Sequence, residues 1–315
     1  MATFLLLAEY TLIFASVLML VALGGCYSEH SGVINIGLEG IMVMGALGGA
    51  LVMNMFPGLS APLMILAVMA GSMLFGVIYS TLLGFSAIHL KADQTIIGTA
   101  MNMLGVALAT IIVKTINMQA NASNPTSTLQ YIAQKKLFLV KLGSFEFNWF
   151  MLISLVILAI AYVVMYKTRF GLRLQACGEF PQAAASVGID VYKMRWSGVL
   201  ISGLLGGLGG IVYIMAGVSE WKFENGVAGF GFLAMAVMIF GQYRPLRIGV
   251  SALLFGFFRA LGNVYTGFGF LVALNIPSTL YNMLPYIVCL IVLTFTSKNS
   301  RAPKADGIPY EKGQR

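Results

Sequence analysis

The first 90 residues contain no lysine, arginine or aspartate. A water-soluble domain carries about one charged residue in four, so a segment this long without a single fixed cation cannot present a solvated surface. Over the whole chain of 315 residues, 59% are hydrophobic and 10% are charged, which excludes a soluble globular fold and a disordered chain alike. The apolar residues fall in runs, and a helix that crosses a bilayer needs about 20 of them. Phe4–Gly25, Val33–Met55, Pro62–Leu90, Thr95–Asn117, Asn148–Tyr166 and Ser197–Val218 meet or approach that length, and Val227–Gly241, Leu246–Tyr265 and Ser278–Ser297 follow. The expected fold is all-α, a polytopic transmembrane helical bundle of about nine spans, with roughly eight to ten as bounds. Gly267–Ile276 is apolar but too short to cross, and is a candidate for a re-entrant turn. The run beginning at Phe4 lacks the basic start and small-residue cleavage site of a secretory signal and is expected to be retained as an anchor.

Loop charge sets the expected orientation. Counting back from the basic tail, residues 298–315, one side holds Lys298, Arg301, Lys304, Lys312 and Arg315, then Arg244 and Arg247. It also holds Lys167, Arg169, Arg173, Lys193 and Arg195, and finally Lys91, thirteen cations in all. The other side holds four: Lys222, Lys135, Lys136 and Lys141. The richer side is expected to be cytoplasmic, with the C-terminus inside and the N-terminus outside. This distribution accounts for the net charge of +8 without a nucleic-acid partner; the partner surface is membrane lipid. Lys114 and Arg259 fall near the outer ends of spans, where long side chains can reach the interface, and Arg259 is a candidate path-lining residue.

Two loops stand out. Met118–Phe147, expected outside, is rich in Asn, Ser, Thr and Gln and reads as a solvated connector, partly folded on the outer surface. Its sequon at Asn121 matters only in a glycosylating host. Residues 167–196, expected in the cytoplasm, form an insert. Pro181 suits a first helical position and Gly188 a C-terminal cap, giving a helix of about two turns. A short helix held between two spans can pass force from a soluble partner into the membrane; it can equally be a surface helix with no partner.

The segment Gly32–Met42, GVINIGLEGIM, places Asn35 and Glu39 within apolar sequence. On a continuous helix, residues four apart share one face, and an intramembrane carboxylate is costly unless it meets the bundle interior, a watery path or hydrogen-bond partners. The pair is therefore a candidate gate or a structural polar cluster. Gly45, Gly49, Gly203, Gly206, Gly207 and Gly210 are candidates for close helix packing, because small residues let membrane helices approach.

Three features of this sequence resemble the membrane permeases of ABC importers of the ribose, branched-chain amino acid and nucleoside type. They are GVINIGLEGIM itself, ACGEFPQAAASVGIDVYKMRWSG at Ala176–Gly198, and SGLLGGLGG at Ser202–Gly210. The tail RAPKADGIPYEKGQR, Arg301–Arg315, resembles that of the smaller permease of bacterial nucleoside importers. The resemblance implies one permease domain over residues 1–315, in a bacterial inner membrane. It also implies that the insert is a coupling helix docked in a separate cytoplasmic ABC ATPase, with Gly178, Glu179, Pro181, Ala184, Gly188 and Asp190 in that role. It further implies ATP and magnesium on the ATPase, a second permease subunit, an extracytoplasmic solute-binding protein, and nucleosides as the solute, with sugars or amino acids as the alternative.

No GxxxxGK[ST] sequence occurs, so no cofactor is expected on this chain. His30 and His89 have no metal-ligand spacing, Cys26, Cys177 and Cys289 form no disulfide or metal pattern, and no nucleophile–base arrangement stands out. The chain is not expected to be an enzyme. A rival reading, an ion-coupled secondary transporter, needs ionisable groups near the midplane, for which Glu39 is the deepest acidic candidate and Glu9 lies nearer the outer end.

Overall fold

The computed structural model describes residues 2–129, 136–143, 145–216, 221–296 and 302–312. Of the charges counted above, Lys135, Lys298, Arg301 and Arg315 lie outside the described residues. Each of the nine apolar runs contains a helix. The helices are α1 (Ala2–His30), α2 (Leu38–Met55), α3 (Ala61–Gly84), α4 (Gln94–Ala120) and α5 (Trp149–Lys167), then α6 (Arg169–Glu179), α7 (Pro181–Ser186) and α8 (Val191–Met215). The chain continues as α9 (Phe230–Phe240), α10 (Pro245–Val264), α11 (Gly269–Ala273) and α12 (Ser278–Thr296). Among the described residues, seven helices are long and apolar enough to cross a membrane, and Phe230–Phe240 and Ser278–Ile291 are shorter apolar helices.

Local chemistry sets several boundaries. Asp93 Oδ1 accepts the Thr95 and Ile96 N–H groups at 2.8 and 3.1 Å to start α4, and Asn148 and Asp190 cap α5 and α8 in the same way. Pro181 and Pro245 occupy the first turns of α7 and α10, where a missing N–H costs nothing. Helix α3 continues through a π-helical turn, Phe85–His89.

The central element is α8, which packs on α1, α2 and α3. Its glycines face the neighbouring backbones: a Cβ on Gly207 would collide with Ser72 and Gly76 of α3, one on Gly45 with Gly207, and one on Gly210 with Met42. Gly49 lies against Ile211, Gly203 against Ser80, and Gly206 against Ile41.

The polar connector after α4 carries a two-stranded antiparallel hairpin of β1 (Leu139–Leu142) and β2 (Phe145–Asn148). Gly267–Ile276, a candidate re-entrant turn from sequence, instead forms a 3-10 turn and α11 beside the start of α1. There Phe268 meets Phe4 with ring centroids 5.2 Å apart. The interrupted crossing lies elsewhere, between α8 and α9. Trp221–Asn225 sits against the polar connector after α4, with Phe223 N donating to Ser127 O at 3.1 Å, and the chain then runs to α9, whose 11 residues span only about 16 Å.

Candidate functional site

Two helices begin inside the bundle and meet head to head. Residues 33–37 are not helical, so α2 starts at Leu38, later than the apolar run that contains it. The connection is held by side chains from three directions. Ser28 Oγ donates to Val33 O at 2.7 Å, Ile34 N donates to Gln94 Oε1 at 2.7 Å, and the Asn102 side chain bridges Gly40 N at 2.9 Å and Ile36 O at 3.0 Å. Backbone groups that a helix would have paired are thus satisfied deep in an apolar body, where an unpaired one is costly.

Glu39, in the first turn of α2, accepts Gly229 N at 2.8 Å on Oε1 and Gly231 N at 2.7 Å on Oε2. These are the N–H groups at the start of α9. The carboxylate therefore lies between two helix N-termini, whose partial positive charges favour a negative group. The contact demands glycine: a Cβ on Gly231 would stand 2.5 Å from Glu39 N, and Gly229 has φ +80. Asn35 does not join this centre. It lies before α2 begins, and its Nδ2 donates to Ser202 Oγ of α8 at 2.8 Å. The expectation that Asn35 and Glu39 share a helix face is corrected, because the helix that would align them is absent at Asn35.

Arg259 does approach the centre. Its guanidinium carbon is 5.5 Å from the Phe230 ring centroid and 5.9 Å from that of Phe14. Its Nη1 is 3.5 Å from Asn282 Oδ1, and its Nε is buried with no hydrogen-bond partner. Phe230 belongs to an aromatic series in which Trp221 and Tyr213 are 5.1 Å apart, Tyr213 and Phe230 4.5 Å, and Phe230 and Phe14 5.7 Å. Tyr286 OH of α12 donates to Ala228 O at 3.1 Å. Tyr213, Asn282 and Tyr286 carry no sequence signal that separates them from ordinary membrane residues. The glycines at Gly226, Gly229 and Gly231 are the one sequence signal that could have revealed a break here. The assembly combines buried aromatic rings, a guanidinium whose Nε has no partner, and three positive-φ residues, Gly226, Ala228 and Gly229.

In the insert of residues 167–196, α6 and α7 form a small body on the end of the bundle that carries His30. Ala184 is 4% exposed and packs with Cys177, Val191 and Tyr310. Burial pushes the Cys177 thiol up to about 11. Gly178 and Pro181 are buried as well, whereas Glu179, Gly188 and Asp190 are exposed. Gly188 has φ +85 at the end of α7, and Lys193 N donates to Asp190 at 3.1 Å, holding that carboxyl below its usual range. Residues 302–312 strap this body to the bundle. Ala305 N donates to Gly178 O at 2.8 Å, Tyr310 meets Tyr192 at 5.3 Å, Lys304 lies over the Phe180 ring at 4.8 Å, and Glu311 pairs with Lys91 at 2.6 Å.

Residues 7–293 match the family described as branched-chain amino acid transport system / permease component. The chain is 40% identical over 316 residues to the guanosine ABC transporter permease protein NupQ of Bacillus subtilis (strain 168), covering 97% of this chain and 96% of the relative. It is 35% identical over 318 residues to the nucleoside ABC transporter permease protein NupC of Lactococcus lactis subsp. cremoris (strain MG1363), covering 96% of each. A second protein of that organism, the nucleoside ABC transporter permease protein NupB, is 26% identical over 252 residues, covering 76% of this chain and 67% of the relative. The helical bundle and these full-length matches agree: the chain is a multi-pass membrane transporter subunit, not itself an enzyme, and belongs to the permease-component family of branched-chain amino acid transport systems.

Proposed function

We propose that this chain is the membrane-spanning permease subunit of an ABC importer that carries nucleosides into a bacterial cell across its inner membrane. The observation that carries the solute class is 40% and 35% identity, over nearly the whole chain, to two nucleoside permeases. In this reading a separate cytoplasmic ATPase binds ATP and magnesium and grips the exposed side of α7. The end bearing α6, α7 and residues 302–312 faces the cytoplasm, the hairpin end receives solute from a binding protein, and a second, different permease completes the channel. The presence of two related permeases, NupC and NupB, in one organism supports that pairing.

Transport then follows from the head-to-head helices. Motion of the ATPase displaces the insert, the strap conveys it to the α1–α2 connection, and α2 carries Glu39 and the start of α9 with it. The test is uptake of radiolabelled guanosine, adenosine and uridine by cells expressing the importer, against cells lacking this chain. ATP-dependent nucleoside uptake that disappears with the chain is expected; uptake of a sugar or a branched-chain amino acid in place of every nucleoside overturns the reading.

A further inference from the structure

A cavity of about 600 Å³ opens beside the last turn of α1, with Tyr162 and Tyr166 of α5, Gln175 of α6, Arg244 just before α10 and Arg247 in its first turn on its walls. Both arginines are exposed, and among the described residues no carboxylate pairs with either. Arg247 Nη1 donates to Gln242 Oε1 at 2.8 Å, which holds the guanidinium at the rim. The cavity thus presents two cations, tyrosine hydroxyls and glutamine amides where the helices leave the apolar layer.

Directly adjoining it is a second cavity, of about 360 Å³, that is almost wholly apolar. Leu246 lines both. From there the groove runs between α10, through Val250 and Leu253, and α5, through Leu158 and Leu155, over Met19 of α1. Leu246 to Leu253 covers about 10 Å along the helix axis. Val250 and Leu155 are 69% and 56% exposed, although both lie on helices apolar enough to span a membrane. An anion-binding head continuous with an apolar trough pointing into the membrane matches one kind of molecule.

We propose that this composite cavity binds one anionic phospholipid of the cytoplasmic leaflet, its phosphate against Arg244 and Arg247 and one acyl chain in the groove between α5 and α10. A soluble protein could reach the arginines but not the groove, and a free anion would leave the groove unused. The site borders Gln175 of α6 and the end of α1, so the bound lipid braces the insert from the membrane side. The assignment of this end to the cytoplasm chooses the leaflet; the binding itself stands apart from the identity of the transported solute.

The experiment is native mass spectrometry of the full chain purified in mild detergent and titrated with dioleoyl phosphatidylglycerol or dioleoyl phosphatidylethanolamine. One phosphatidylglycerol should be retained preferentially. Each arginine near a membrane surface contributes about a fivefold preference for an anionic lipid, so Arg244→Gln with Arg247→Gln should reduce that preference roughly 25-fold. Val250→Trp, at an exposed position, should weaken retention of both lipids by filling the groove. Equal retention of the two lipids by the unmodified chain, or unchanged selectivity in the arginine variants, overturns the proposal. So does glycerophosphoglycerol binding as tightly as the intact lipid, which would make this a soluble-anion site. Displacement of the lipid one-for-one by the ATPase would make it a protein-docking site and overturn it equally. Should the double variant fail to purify, Arg247→Gln alone keeps the comparison, with about a fivefold loss expected.

Discussion

Glu39 is bonded to two backbone donors that belong to another helix, and this decides how each substitution acts. In Glu39→Gln the amide oxygen can still accept one N–H, but the amide nitrogen then faces the other donor. One buried donor is left unpaired and the charge between the helix ends is lost, at a cost of about 1–3 kcal/mol. Glu39→Leu strands both donors and should cost roughly twice that. Melting temperatures of the purified variants should therefore fall in the order unmodified, Gln, Leu. A Gln variant that melts like the unmodified chain yet no longer transports would move Glu39 from scaffold to gate. The importance of Glu39 is legible in sequence because an acidic residue among apolar ones must find partners. The identity of the partners is not. The four-residue spacing from Asn35 implies a shared face only if the chain between is helical, and the polar groups of Gln94 and Asn102, more than fifty positions away, hold it non-helical.

At the scale of the element, α7 has two distinct sides. Val187 is 76% exposed, and Gln182 and Ala183 are exposed with it, whereas Ala184 is 4% exposed. Val187→Asp should reduce co-purification of the ATPase while membrane abundance stays normal. Ala184→Asp should act differently, forcing a carboxylate among Cys177, Val191 and Tyr310 and loosening the insert itself, by about 1–3 kcal/mol, seen as faster proteolysis within residues 176–191. If both variants keep the ATPase bound, docking is elsewhere. The Pro181 start and Gly188 end of this helix were readable from sequence, since both act through local backbone geometry. Which side faced inward was not, because its covering residue, Tyr310, arrives from the far end of the chain.

That covering segment has its own pH dependence. Asp306 is half-buried with its Oδ1 enclosed, against Glu29 of α1, with Arg195 of α8 and Tyr243 of the α9–α10 connection near it, and desolvation raises its carboxyl from the ordinary value near 4 to about 7. The docked strap therefore favours the protonated acid. Docking is strongest below about pH 4 and weakens as pH rises from there to about 7, after which this group adds no further change. Amide exchange of residues 302–312, corrected for intrinsic rates, should be slower at about pH 5 than at about pH 8, and Asp306→Asn should flatten the difference. Faster exchange at the lower pH would reverse the sign and sink the account.

For the whole molecule, the proposed topology makes one crossing of the half-helix α9 with residues 221–229 before it, so the count of traverses is the same as if the run were a continuous span. A cysteine at Ser123 and another at Lys312, in a chain whose own cysteines are replaced, should react with a membrane-impermeant maleimide from opposite sides. Reaction from the same side would refute the assigned orientation. The bundle as a whole was legible because apolar length is a direct consequence of bilayer thickness. The broken crossing was not, since Val227–Gly241 is equally apolar whether it is half a span or a shortened one, and its depth is set by Glu39. The aromatic series was hidden for a similar reason: Phe14, Tyr213 and Phe230 lie on three helices and meet only when the glycines of α8 have brought those helices close.

The bond from Ala305 to Gly178 has a consequence for biosynthesis. The insert emerges from the ribosome before α8 to α12, but the segment that covers its underside is made only after all of them. Until then Ala184 and Cys177 lack their cover, and the surface proposed for the ATPase is unfinished. A truncated or stalled chain would hold its early helices in the membrane without the completed body, so in the proposed importer recruitment of the motor would become conditional on synthesis having run past α12.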